Sequence, residues 1–163
     1  MKKVVSIILS ALMVLVMLAG CSEKEEVAEL LTYTSSNGYT VSYTDAFEPT
    51  ELSSDIDFVV MDTNTGSVVT IQTMRDSIDG YTEKSFEDEM EKNDMDIKVT
   101  SFGYETINGN NALVVAYTYN ENTITQVMYD AGSKTYNAMY TELPGADNEL
   151  RETMTAIIRS ITY

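Results

Sequence analysis

The spacing of apolar residues along this 163-residue chain changes period several times. From Val4 to Ala19 there is no charge, and Ser6 and Ser10 are the only polar residues. Further on, Tyr39, Val41 and Tyr43 alternate with polar residues, the period of two that lines one face of a strand. Ser36-Asn37-Gly38 separates this run from a preceding Thr/Tyr strand, and Asn-Gly marks a hairpin because both residues tolerate positive φ. An irregular piece containing Pro49 follows. Phe58 to Met61 and Val68 to Met74 then flank Asp62-Thr63-Asn64-Thr65-Gly66, a second hairpin. Phe86 and Met90 lie four apart within Glu83 to Lys92, a run of good helix formers that Thr82 can cap. Strand patterning resumes over Ile97 to Ile107, Ala112 to Tyr119, Thr123 to Tyr129 and Thr135 to Glu142, with Asn- and Gly-containing turns between. Pro144-Gly145 breaks the pattern, and Asp147 or Asn148 caps a closing helix whose Leu150, Met154, Ile157, Ile158 and Ile161 form one stripe.

These periods predict an α+β fold in the order four strands, a helix, four strands, a helix. Leu113, Val115, Tyr117 and Tyr119 point one way, while Ala112, Val114 and Ala116 point the other. A strand apolar on both sides must be covered on both sides. The expected architecture is therefore a central antiparallel sheet with helices on both faces. No Pro-rich, Gly-rich or low-complexity linker divides residues 32–163, which read as a single domain.

The N-terminal run has a different meaning. Lys2-Lys3, the apolar stretch and the small residues before Cys21 have the order of a secretory signal peptide, residues 1–20. The run is shorter than the roughly 20 apolar residues a spanning helix needs. Leu18-Ala19-Gly20-Cys21 resembles the lipobox of bacterial lipoproteins, which implies that Cys21 is acylated through its sulfur and becomes the first mature residue. Two acyl chains, at about 0.8 kcal/mol per buried methylene, give an anchor on the order of 20 kcal/mol. Residues 21–31 then form the lipidated N-terminus and a charged tether. The formal charge is −16, and loss of Lys2 and Lys3 makes it two units more negative. That charge excludes nucleic acid as a partner and is repelled by anionic headgroups, so the membrane contact expected is the lipid alone, at the extracytoplasmic face of the cell membrane.

From about Tyr33 onward the chain resembles the PsbP-like fold, which includes small bacterial lipoproteins of the DcrB-like kind. The matching pieces are Gly38-Tyr39-Thr40-Val41-Ser42-Tyr43, Ser85-Phe86-Glu87, Ile107-Asn108-Gly109-Asn110-Asn111-Ala112 and Ile157-Ile158-Arg159-Ser160-Ile161. The resemblance implies an α/β/α sandwich. Members of this fold do unrelated jobs, so it implies little about activity.

Candidate chemistry is sparse. The chain has no His and one Cys, which excludes Ser-His-Asp and Cys-His nucleophile systems, a disulfide within the chain and His-based metal sites. No glycine-rich nucleotide motif occurs, and no cofactor, catalytic residue or resident metal is assigned. Asp62-Thr63-Asn64-Thr65-Gly66 spaces oxygen ligands as a calcium loop does but lacks the bidentate Glu at the twelfth position, so a plain hairpin turn is the preferred reading. Tyr104, Tyr117, Tyr119, Tyr129, Tyr136 and Tyr140 lie on neighbouring strands and form a candidate ligand or partner surface, against the plainer reading that they pack the sheet beneath helices. The expected function is a non-catalytic, lipid-anchored binding or scaffold module for an unknown protein or small-molecule partner. The alternatives are a carboxylate-dependent hydrolase of cell-envelope carbohydrate and a calcium-responsive surface protein.

Overall fold

The computed structural model describes residues 30–50, 56–74 and 77–163. The expected signal peptide, Cys21 and the expected tether up to residue 29 lie outside the described residues. Among the described residues, nine strands and two helices follow one another as β1 (Leu30–Thr34), β2 (Thr40–Thr44), β3 (Phe47–Pro49), β4 (Phe58–Asp62), β5 (Val68–Met74), α1 (Glu83–Lys92), β6 (Lys98–Ile107), β7 (Asn110–Tyr119), β8 (Asn122–Asp130), β9 (Thr135–Glu142) and α2 (Asn148–Arg159). Seven strands form one antiparallel sheet in the order β3-β4-β5-β9-β8-β7-β6. The β1–β2 hairpin is a sheet of its own.

The strand count before α1 corrects the expected order. Five strands precede that helix, because Phe47–Pro49 pairs with Asp62, Met61 and Val60 of β4. Its Pro49 is tolerated since β3 is an edge, where a missing N–H leaves no ladder bond unmade. Burial of Phe47, 2% exposed, holds the short strand in place. The other departure is that β1 and β2 stand outside the main sheet. Tyr33 and Tyr43 place their rings 5.0 and 5.5 Å from that of Phe58, so the hairpin lies over β4.

Both faces of the main sheet are covered. On one, Phe86 of α1 packs with Ile78, Leu113, Val115, Tyr117, Ile124 and Met128. On the other, Met154, Ile157 and Ile158 of α2 join Val69, Ile71, Val127, Tyr129 and Ala138, with Tyr39 and Val41 of the hairpin completing the layer. Strand β7 therefore divides its side chains as its alternation predicts. The helices begin where capping residues allow. The Ser85 amide donates to Thr82 Oγ1 at 3.1 Å and the Thr82 amide donates to Ser85 Oγ at 2.8 Å, a reciprocal capping box. Of the two candidates for α2, Asp147 is the cap, accepting from the Leu150 amide at 2.8 Å.

The C-terminal end of α2 is bound to three other parts of the fold. A helix leaves its last carbonyls without intrahelical donors. Tyr129 Oη donates to the Ile158 carbonyl at 2.6 Å, and Asn108 Nδ2, from the β6–β7 turn, donates to the carbonyls of Arg159 and Ile161. Ser160 Oγ bridges to β2, accepting from the Ser42 amide at 2.8 Å, and Thr162 pairs with Thr40. Replacing Tyr129 with Phe leaves the buried Ile158 carbonyl without that donor. It is expected to lower unfolding free energy by about 1–3 kcal/mol in urea titrations; no measurable loss would mean that the bond contributes nothing to holding α2.

Candidate functional site

The six tyrosines do not share one surface. Tyr104, Tyr117 and Tyr119 lie on the α1 face, and Tyr129, Tyr136 and Tyr140 on the α2 face, following the registers of β6 to β9. Four are core residues: Tyr117, Tyr129, Tyr136 and Tyr140 are all below 5% exposed. Tyr117 packs its ring 5.6 Å from Phe86, and Tyr136 sits 5.0 Å from Tyr39 and from Tyr163. Tyr119 is half-buried. Tyr104 alone is exposed, at 43%, while its hydroxyl donates to the Ile78 carbonyl at 2.6 Å. Packing beneath the helices, and for Tyr136 beneath the β1–β2 hairpin and Tyr163, accounts for the buried four, as aromatic residues do on pleated surfaces.

The Asp62–Gly66 segment closes as a hairpin turn. Asp62 Oδ2 accepts from the Thr65 amide at 2.7 Å and from Thr65 Oγ1 at 2.8 Å, so that oxygen is committed to the turn. Gly66 takes φ of 77° and donates its amide to the Asp62 carbonyl. Among the described residues, no three His, Cys, Asp or Glu side chains are placed to hold a metal ion.

Clefts that border the helices are the candidate sites. One, of about 400 Å³, lies where α1 runs into β6 and is lined by Glu87, Glu91, Asp94, Met95, Asp96 and Ile97. Its four carboxylates are exposed. A general acid of the glycosidase kind needs a carboxyl withdrawn from water, which none of these is. A second, of about 300 Å³, joins Phe47 and Asp62 to Asp147, Glu149 and Leu150 at the start of α2. The third differs in chemistry. This groove of about 300 Å³ between β2 and α2 is walled by Tyr43, Ala156 and Ile157, with Leu30 at its rim, 68% exposed.

Sequence patterning did not indicate this groove, whose walls are distant along the chain. Nor did it indicate the polar knot at Asp57. There Asn37 Nδ2 donates to Oδ1 at 2.7 Å, Thr73 Oγ1 donates to Oδ2 at 2.6 Å and Tyr33 Oη donates to the main-chain carbonyl at 2.9 Å. The knot ties the β1–β2 hairpin to β5, and Lys134 Nζ and Tyr136 Oη add donors to the Asn37 carbonyl. The only local signal is the Asn-Gly turn itself.

Comparison with known proteins bears on the fold. No protein-family model matches the chain, and no curated protein matches it. Among solved structures it is similar to the cyanobacterial PsbP protein, CyanoP, of Synechocystis sp. PCC 6803. That likeness has a TM-score of 0.63 and 10% identity, over 88% of this chain and 97% of that one. It is also similar to a protein of unknown function from Pseudomonas aeruginosa, with a TM-score of 0.50 and 11% identity over 83% of this chain and 97% of that one. In fold the described body is similar to that of CyanoP. At such identities the likeness concerns the fold and not the chemistry of a site.

The buried tyrosines carry a pH signature. Burial raises the hydroxyls of Tyr39, Tyr117 and Tyr129, that of Tyr117 to about 12. Unfolded tyrosines ionise near 10, so the native state holds these protons more tightly and their contribution to stability is complete below pH 10. Unfolding free energy should then fall as pH rises from about 10 to 12, by up to about 1.4 kcal/mol per pH unit for each such group. Urea titrations across pH 8 to 12 measure this. Tyr117→Phe should flatten the slope, and an unchanged slope would contradict the burial of that hydroxyl.

Proposed function

We propose that this chain is a lipid-anchored module at the extracytoplasmic face of a membrane, holding a protein or small ligand there without catalysing a reaction. The observation that carries the reading is the N-terminal sequence, in which a basic start and an uncharged apolar run end at Leu18-Ala19-Gly20-Cys21. Among the described residues no helix is long and apolar enough to cross a membrane. The proposed attachment is the acyl group on Cys21, and the acidic body stays off anionic headgroups by repulsion.

The groove between β2 and α2 supports the binding role. Leu30, at its rim, follows Cys21 by nine residues. Even fully extended, such a tether spans at most about 30 Å, at about 3.3–3.6 Å per residue. An apolar recess within that reach of a membrane suits an apolar ligand or an apolar side chain of a membrane-bound partner. The absence of His and the exposure of the carboxylates around the cleft between α1 and β6 favour binding over catalysis.

Intact-mass measurement of the protein extracted from membranes tests the anchor. The expected species begins at Cys21 and carries a diacylglyceryl group, and Cys21→Ser should leave the chain unacylated with its leader attached. A polypeptide that still begins with Met1 and bears a free thiol would overturn the reading.

A further inference from the structure

Among the described residues, strand β6 forms one margin of the main sheet and pairs only with β7. It is ten residues long, whereas the opposite margin, β3, is three residues and contains a proline. A long unpaired margin is a template for another strand. Its backbone phase follows from the turn after it. Asn108 and Gly109 take φ of 53° and 82°, a two-residue loop of the I′ type, which closes on a pair exchanging both hydrogen bonds, here Ile107 with Asn110. Counting back, Glu105 and Gly103 also turn their amides and carbonyls toward β7. Phe102, Tyr104 and Thr106 then turn theirs outward, and no other element among the described residues bonds to them.

A bulge sets the side-chain phase. The register shifts between Val99 and Ser101, leaving Thr100 as the extra residue, with its Oγ1 donating to the Ala116 carbonyl at 3.0 Å. Lys98 and Glu105 are an odd number of residues apart and would face opposite sides of a regular strand. With the extra residue, Lys98 opposes Thr118 and Glu105 opposes Ala112, so both lie on the α2 face. Arg159 of α2 reaches Glu105 there at 2.9 Å, while Lys98 has no ion pair among the described residues. Val99, Phe102 and Tyr104 lie on the α1 face, opposite Tyr117, Val115 and Leu113.

We propose that β6 pairs antiparallel with β6 of a second copy of this chain, about a two-fold axis through Phe102. In that register each Phe102 opposes its counterpart through the outward amides and carbonyls. Each Val99 opposes a Tyr104, giving a continuous apolar row on the α1 face. Each Lys98 opposes a Glu105 on the α2 face, and symmetry repeats the pair. Centring on Gly103 would set Lys98 against Ile107, centring on Tyr104 would leave Lys98 beyond the end of the facing strand, and centring on Glu105 would oppose like charges. Charge complementarity therefore selects the Phe102 register, and this pairing holds whether or not the chain is acylated.

Sedimentation of the purified full chain in detergent, over a range of concentrations, tests this. Wild type is expected to dimerise. Lys98→Glu and Glu105→Lys should each weaken association about tenfold by creating like-charge pairs, and the double exchange should restore it. Disulfide trapping in a Cys21→Ser background fixes the register independently: Phe102→Cys should give a crosslinked dimer, whereas the background chain and Gly103→Cys should not. Thermal melts of each variant identify any that fail to fold, and Gly103 has open space where a side chain would be added. A chain that stays monomeric throughout, single and double charge variants that behave as wild type, or trapping through Gly103→Cys in place of Phe102→Cys would overturn the proposal. So would a monomer that instead takes up an added extended peptide along β6.

Discussion

Strand β7 is apolar on both faces, β8 sets Ile124 and Met128 on one face and Val127 and Tyr129 on the other, and the rest of the architecture answers to that fact. Leu113, Val115 and Tyr117 need a cover on one side, and Ala112, Val127, Tyr129 and Ala138 need one on the other. A sheet with two apolar faces cannot leave either in water, since each large buried side chain stabilises the fold by about 1.5–3 kcal/mol relative to exposure. Helix α1 supplies one cover. The second is shared between α2 and the β1–β2 hairpin, and it holds together because α2 ends among donors. Tyr129, Asn108 and Ser160 come from the sheet, a turn and the helix itself, so this corner links segments far apart in the chain.

Much of this could be read from the amino-acid order, for reasons that are local. Alternation along Leu113 to Tyr119 fixes which side chains share a face, and Asn-Gly at 37–38 and 108–109 fixes where the chain reverses. Thr82 and Asp147 stand where caps are needed. What escaped local reading depends on contacts across the fold. Strand β3 carries a proline and is three residues long, too short for a period to register, and exists because β4 offers it a partner. The separate sheet formed by β1 and β2 depends on the Asp57 knot and on Phe58, neither of which their own alternation records. The bulge at Thr100 is similarly silent, yet it decides that Lys98 and Glu105 share a face.

The tyrosines show why residue type alone misplaces a surface. A phenol suits an interface and a half-polar core equally, with an apolar ring and a hydroxyl that needs a partner. In this fold the hydroxyls of Tyr129 and Tyr136 reach the carbonyls of Ile158 and Asn37, so the polar tips act as internal ties. Accessible apolar surface and unpaired backbone are left elsewhere, in the groove beside Leu30 and along the margin of β6. Both lie at the periphery of a body whose interior is given over to packing.

The central claim is that a sheet buried on both sides is the most stable unit of the molecule and carries the remaining elements. Native-state amide hydrogen exchange measures this residue by residue. The amides of Val127, Tyr129 and Ala138 should exchange slowest, only through global unfolding, with α1, α2 and the β1–β2 hairpin opening at lower free energy. Strongest protection in the helices, with early exchange in β8 and β9, would contradict the account.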